Sequence, residues 1–147
     1  MKTIEDFVIE SNHIEGILTT TPEEIAAHET FLDIDTLTIP DLIRLVAVLQ
    51  PGARLRIQPG MDVRVGNYYP PHGGMNIAYG LEHILTSTHK DPYQVHIAYE
   101  QLHPFTDGNG RSGRALWLHR HKGESPGGRS FLHNFYYETL AHQENTQ

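Results

Sequence analysis

Cysteine is absent from the 147-residue chain. Disulfides and thiolate zinc sites are therefore excluded, and the chain suits a reducing compartment without requiring one. Long hydrophobic runs are also missing. No stretch approaches the ~20 apolar residues needed to span a bilayer, so no membrane partner is expected. The first twelve residues carry Glu5, Asp6 and Glu10 and no apolar run, so they do not read as a signal peptide. The expected location is the cytoplasm, although a secreted effector lacking a cleavable signal has the same appearance. Positive charge is in deficit, with a formal net charge of −7. Phosphate neutralisation needs clustered Lys and Arg, so a general nucleic-acid partner is not expected. A local basic site for a small phosphate ligand remains compatible with that balance. The chain has eleven histidines but no His-Glu-x-x-His motif. His119 and His121, two apart, fall on different faces of a helix. His83 and His89 are likewise poorly matched, so no dedicated transition-metal site is expected. His72, His89, His119 and His142 are expected at the surface and Trp117 in the core.

What is present describes a single folded domain over 1–147. Hydrophobic residues make up 38% of the chain and are spread along it, without internal repeats or low-complexity blocks. Ile4, Phe7, Val8 and Ile14 recur at near-helical spacing, which predicts an amphipathic helix over about 3–16 ended by Gly16. Thr21-Pro22-Glu23-Glu24 opens a second helix to about Leu32, and Pro40-Asp41 a third, stopped by Pro51-Gly52. Leu55-Arg56-Ile57 and Val63-Arg64-Val65 alternate apolar and polar residues around Pro59-Gly60. That pattern predicts a β-hairpin within 55–71, closed by Pro70-Pro71. Helices follow over about 76–88, from Asp91-Pro92 to Leu102, from Asn109 to His121, and over about 129–142. The fold class is all-α, seven or so helices with one short inserted β-hairpin.

The chemistry concentrates in 103–114. Gly108-Asn109-Gly110 directly precedes the helical run Ala115-Leu116-Trp117-Leu118. Glycines there let several backbone N–H groups converge, and the helix N-terminus adds partial positive charge, which together make an anion site. Arg111 and Arg114 are three apart and share a helix face beside it. Two guanidinium forks next to a phosphate-sized nest suit a polyphosphate. Asp107 can hold a magnesium ion through its oxygens. His103, just upstream, can accept a proton from an attacking hydroxyl near neutral pH. A base, a metal carboxylate, a nest and two arginines are the parts that phosphoryl-type transfer needs.

His103-Pro104-Phe105-Thr106-Asp107-Gly108-Asn109-Gly110-Arg111-Ser112-Gly113-Arg114 resembles the signature of Fic-domain proteins, with every fixed position present. His96, Tyr99 and Leu102 resemble the lead-in to that signature. Arg56 through Pro71 is similar to the family's target-binding flap, and Phe135 through Leu140 to its last core helix. The resemblance implies a helical Fic-like domain that moves AMP from Mg-ATP to a Ser, Thr or Tyr hydroxyl of a target protein. It implies His103 as general base and Asp107 as the Mg2+ ligand. Gly108, Asn109 and Gly110 would cradle the α- and β-phosphates, Arg111 contacting the β- and Arg114 the γ-phosphate. Phe105 would be a core anchor. Tyr136 would border the nucleoside, and Val65, Gly66, Asn67 and Tyr68 would belong to a flap that adds the target as an extra strand. AutoAMPylation is a further expected outcome.

Ser11-Asn12-His13-Ile14-Glu15-Gly16 also resembles the family's inhibitory-helix motif. Ser11 and Glu15 are four apart and share a helix face. By that resemblance Glu15 pairs with Arg114 and competes with the γ-phosphate, so the intact protein is expected to be autoinhibited. Lys replaces Gly110's counterpart in phosphate-transferring relatives, which disfavours that activity here. Two alternatives stand beside AMP transfer: a deAMPylase in which Glu15 orients water, and a non-enzymatic nucleotide-binding module or repressed toxin.

Overall fold

Six α-helices form the regular structure of the protein, seen in a computed structural model that describes residues 3–88 and 91–121. They are α1 (Ile4–Ile14), α2 (Pro22–Asp33), α3 (Ile39–Leu49), α4 (Met75–Thr86), α5 (Pro92–Leu102) and α6 (Asn109–Arg120).

Their starts are written locally. Thr3 donates its N–H to the Asp6 carboxylate at 3.0 Å and its hydroxyl accepts the Asp6 N–H at 3.2 Å. Thr21 and Glu24 repeat this reciprocal arrangement at the head of α2. The Thr38 N–H likewise finds the Asp41 carboxylate at 2.8 Å. Each threonine–acid pair satisfies amide groups that the first helical turn leaves without partners. Pro22, Pro40 and Pro92 stand in first turns, where a missing N–H costs nothing. Asp91 caps α5 by accepting the Gln94 N–H at 2.9 Å.

Helix α6 runs through the middle of the molecule. Every residue from Arg111 to His119 is buried. On one side Ala115 and Leu116 join Leu42, Leu45, Val46 and Leu49 of α3, Leu81, Ile84 and Leu85 of α4, and Val95 and Tyr99 of α5. On the other, Trp117 and Leu118 pack against Phe7 and Val8 of α1. Burying a large apolar side chain contributes roughly 1.5–3 kcal/mol. The second cluster thus packs α1 against α6.

This position corrects one expectation. His119 is buried rather than at the surface: its Nε2 donates to the Ile34 carbonyl at 2.6 Å, and its ring meets Phe31 edge-on. A helix enclosed on all sides leaves no solvent face for it. His72 is exposed, as expected, and Trp117 is in the core.

The β-hairpin is a second correction, for no strand forms among the described residues. Leu55 makes an isolated antiparallel bridge with Phe105 instead of pairing with 63–65. Arg56 N–H donates to the Pro104 carbonyl and Thr106 N–H to the Arg54 carbonyl, each at 2.9 Å. The backbone groups that a hairpin needs are therefore taken by the loop after α5. Arg56, a polar position of that alternation, is fully buried. The remainder of the flap is a loop closed by one tight turn, in which Val65 and Tyr68 exchange two backbone bonds of 2.9 Å around Gly66-Asn67. Gly66 takes φ 59 there, a conformation that favours glycine. The helix expected over 129–142, the loop at 123–128 and Tyr136 lie outside the described residues.

Candidate active site

Helix α5 ends at His103, which caps it with φ 51 and ψ 61. Among the described residues it is the one non-glycine with positive φ. Such a conformation costs of order 1–3 kcal/mol and persists only where neighbours over-determine it. Arg56 supplies much of that constraint. Its guanidinium donates to the carbonyls of His103 at 2.7 Å, Leu102 at 2.9 Å and Met61 at 2.8 Å. The single side chain thus ties the end of α5 to the flap loop. Sequence reasoning assigned Arg56 no such part, because its three partners are carbonyls, which no residue pattern reveals.

Beyond His103 the loop is pinned by Phe105, buried, and by Asn109. The Asn109 side chain accepts the Phe105 N–H at 3.0 Å and donates back to its carbonyl at 2.9 Å. What Asn109 offers a ligand is consequently its backbone. Gly108 begins α6 with φ 78 and puts no side chain over the first turn. The helix N-terminus, with its partial positive charge, therefore faces open space. Asp107 turns one oxygen onto the Gly108 N–H at 2.8 Å.

These elements surround a cavity of about 730 Å³. That is the size of an ordinary small-molecule site. Its walls include Glu15, His103, Asp107, Gly108, Asn109, Gly110, Arg111, Gln50, Glu100, Thr106 and Val65. Of the expected flap residues, Gly66, Asn67 and Tyr68 do not line it. Tyr68 instead braces the flap by donating its hydroxyl to the Gln101 carbonyl at 2.8 Å.

The two arginines are held differently. Arg111 is buried and donates to the Leu49 carbonyl at 2.6 Å, Gln50 Oε1 at 2.9 Å and Asn12 Oδ1 at 3.3 Å, with Glu24 at 3.5 Å. Arg114 is buried and is not among the residues that line the cavity. Its Nε donates to the Ser11 hydroxyl at 2.8 Å, and its Nη2 to the Ser11 carbonyl at 3.0 Å and to Glu15 Oε1 at 2.9 Å. Ser11, Asn12 and Glu15 thus meet the two arginines from the C-terminal end of α1. A Cβ on Gly110 would stand 2.4 Å from Glu15 Oε1. The carboxylate therefore rests against the first turn of α6 as well as on Arg114.

Burial lowers the pKa of His103, and the Arg56 guanidinium adds to this. The Glu100 carbonyl and the Asp107 carboxylate work in the opposite direction without overcoming it. The imidazole is neutral at pH 7, the form that accepts a proton. Glu24 shows the reverse balance. Burial alone would raise its pKa, but hydrogen bonds from Asn12 and Thr21 outweigh it and hold the carboxyl ionised. Asp107 is one of three carboxylates that line the cavity, with Glu15 and Glu100, and its oxygens are of the kind that could hold a divalent cation. No cluster of three acidic or histidine side chains forms among the described residues. A magnesium ion here would therefore take further oxygens from phosphate and water, its usual habit.

The cavity thus brings a histidine in a left-handed conformation and a glycine-capped helix N-terminus together, a lining that suits an anionic ligand. The chain belongs to the Fic/DOC family, whose sequence model matches residues 36–119. This is a family of nucleotide-type group transferases that act on protein targets and use a divalent metal in general. The match includes His103 through Arg114 and the flap, and begins after α2, so Ser11 and Glu15 lie outside it. Comparison with curated proteins gives no match. No described helix is long and apolar enough to cross a membrane.

Proposed function

We propose that this protein is an adenylyltransferase that moves AMP from Mg-ATP to a hydroxyl side chain of a target protein, and that Glu15 holds it in an inhibited state. The observation carrying the reading is the shared cavity: neutral His103, Asp107 and the open N-terminus of α6 line it, and Glu15 shields Arg114 from it. In this reading His103 takes the proton of the hydroxyl as its oxygen bonds to the α-phosphorus. The bond from the α-phosphorus to the bridging oxygen breaks, and pyrophosphate leaves. The N–H groups at Gly108 to Gly110 bind the phosphates. Asp107 holds the magnesium ion, which offsets phosphate charge when bound. Arg114, once released by Glu15, receives the γ-phosphate. The target docks on the loop carrying Val65, and the protein's own hydroxyls are targets too. The cytoplasm is the proposed location.

The size of the brake follows from one guanidinium and two rival anions. A charge-assisted hydrogen bond contributes roughly 1.5–3 kcal/mol. Glu15 is 40% exposed, so solvent screening trims this to about 1–2 kcal/mol. That still changes occupancy of the productive pose about tenfold.

One observation favours a second reading. Glu15 lines the cavity itself, where a carboxylate can orient a water for removal of AMP from a modified protein. Incubation with Mg-ATP followed by mass spectrometry for an AMP adduct tests the first reading. Incubation of AMP-modified protein with and without Glu15 tests the second. A protein that binds ATP yet performs neither reaction is a binding module.

A further inference from the structure

Besides Glu15 and Asp107, the cavity is lined by a third carboxylate, one that the proposed chemistry does not use. It belongs to Glu100, on α5. Its Oε1 is buried and has no hydrogen-bond partner among the described residues. That oxygen lies against α6, 2.6 Å from where a Cβ on Gly113 would stand. The side chain as a whole is a third exposed, and the residue lines the cavity. One end of the group is dry and the other wet.

A carboxylate oxygen without a donor is costly to keep ionised. The charged groups around Glu100 do not relieve it by direct contact. His96, one turn earlier on α5, approaches to 3.9 Å, but burial pushes its pKa down to about 4, so it brings no positive charge. His103 is neutral for the same reason. Arg114 of α6 attracts the ionised form from a distance, while Glu15 repels it. Arg64, Arg111 and Asp107 line the cavity further round. Burial dominates this balance and pushes the pKa of Glu100 up to about 7.

We propose that Glu100 makes the anion site at Arg114 proton-coupled: whichever anion occupies it, the Glu15 carboxylate or a nucleotide phosphate, is held together with a proton on Glu100. The phosphate half of this rests on the nucleotide reading above; the Glu15 half does not. Either anion places negative charge beside Glu100 and so favours its neutral form. Reciprocity then requires that a proton on Glu100 strengthen the hold on either anion. The neutral acid also gains an O–H, a donor that a phosphate oxygen can accept. The occupied site carries more protons than the empty one. Occupancy therefore weakens as pH rises from the empty-site pKa of Glu100 to its occupied-site value near 7, by up to tenfold per pH unit within that window.

Two measurements test this. Carbon-13 NMR of the Glu100 carboxyl, in the intact protein and in Glu15→Gln, follows the proton directly. The expected result is a midpoint near 7 in the intact protein and a lower one once the Glu15 charge is gone; equal midpoints overturn the proposal for Glu15. Calorimetry of a non-hydrolysable Mg-ATP analogue binding to Glu15→Gln, in buffers of different ionisation enthalpy, counts protons. Uptake is expected, with less in Glu15→Gln/Glu100→Gln. Equal uptake in both proteins overturns the phosphate half. Should the analogue not bind Glu15→Gln at all, the nucleotide reading fails, and the NMR midpoints alone decide the coupling to Glu15.

Discussion

Glu15 and Arg114, 99 residues apart in the chain, meet at 2.9 Å between Oε1 and Nη2, and the same carboxylate oxygen fills the space beside Gly110 where any other residue would carry a Cβ. The contact depends on three separate facts. The Phe7–Trp117 cluster packs α1 against α6, the left-handed Gly16 ends the α1 segment beside the cavity, and Gly110 leaves room. Glu15 therefore occupies an anion position rather than forming an incidental surface pair.

Removing that carboxylate should release the enzyme. Glu15→Gly is expected to raise incorporation of label from α-phosphate-labelled ATP about tenfold, in line with the 1–2 kcal/mol hold. His103→Ala in the same background should abolish it. Labelling of Glu15→Gly no higher than the intact protein would remove the inhibitory role from Glu15.

Gly110→Ala separates the brake from the nest. The added methyl meets the Glu15 oxygen at 2.4 Å, so the flexible glutamate end must move off Arg114. Hydrogen exchange of the amides around 11–16 should speed up. Activity should nevertheless stay below that of Glu15→Gly, because the same methyl intrudes on the phosphate nest.

Arg56→Ala should cost about 3–5 kcal/mol in a urea melt, since it strips a buried guanidinium from three carbonyls. With the Leu102 and His103 carbonyls released, His103 loses its forced backbone conformation. The turnover of Glu15→Gly/Arg56→Ala should fall even at temperatures where the variant remains folded by circular dichroism.

The pH dependence of turnover follows from the direction of the His103 shift. Its pKa is lowered below the ordinary 6.5 by burial, so the proton-accepting form predominates at pH 7. With Glu15→Gly at saturating ATP, turnover should be flat from pH 7 to 8 and decline only below pH 6.5. A decline beginning above pH 7 would argue against His103 as the base.

Much of the fold was legible because its signals are local. The Asp91-Pro92 start and Leu102 end of α5 fall where the sequence places them, since capping and proline chemistry act within one turn. The same holds for the turn into α6 at Gly108, whose glycine conformation is a short-range requirement. The hairpin was misread because alternation reports which side chains could share a face, not which backbone will accept their hydrogen bonds. The carbonyls of the loop after α5 won the amides near Arg56.

Of the seven or so helices expected from the sequence by itself, the six that fall on described residues form, and so does the glycine turn that begins α6, because periodicity, caps and glycine conformations are properties of neighbouring residues. The tertiary structure contains the Glu15–Arg114 pair that the resemblance implied, and it alone decided the other contacts: it set Arg111 on Leu49, Gln50, Asn12 and Glu24, and buried Arg56 and His119. Each of these contacts spans dozens of residues and joins a charged or polar group to a partner on another helix or loop. Their energies depend on burial, and burial exists only once the helices have packed.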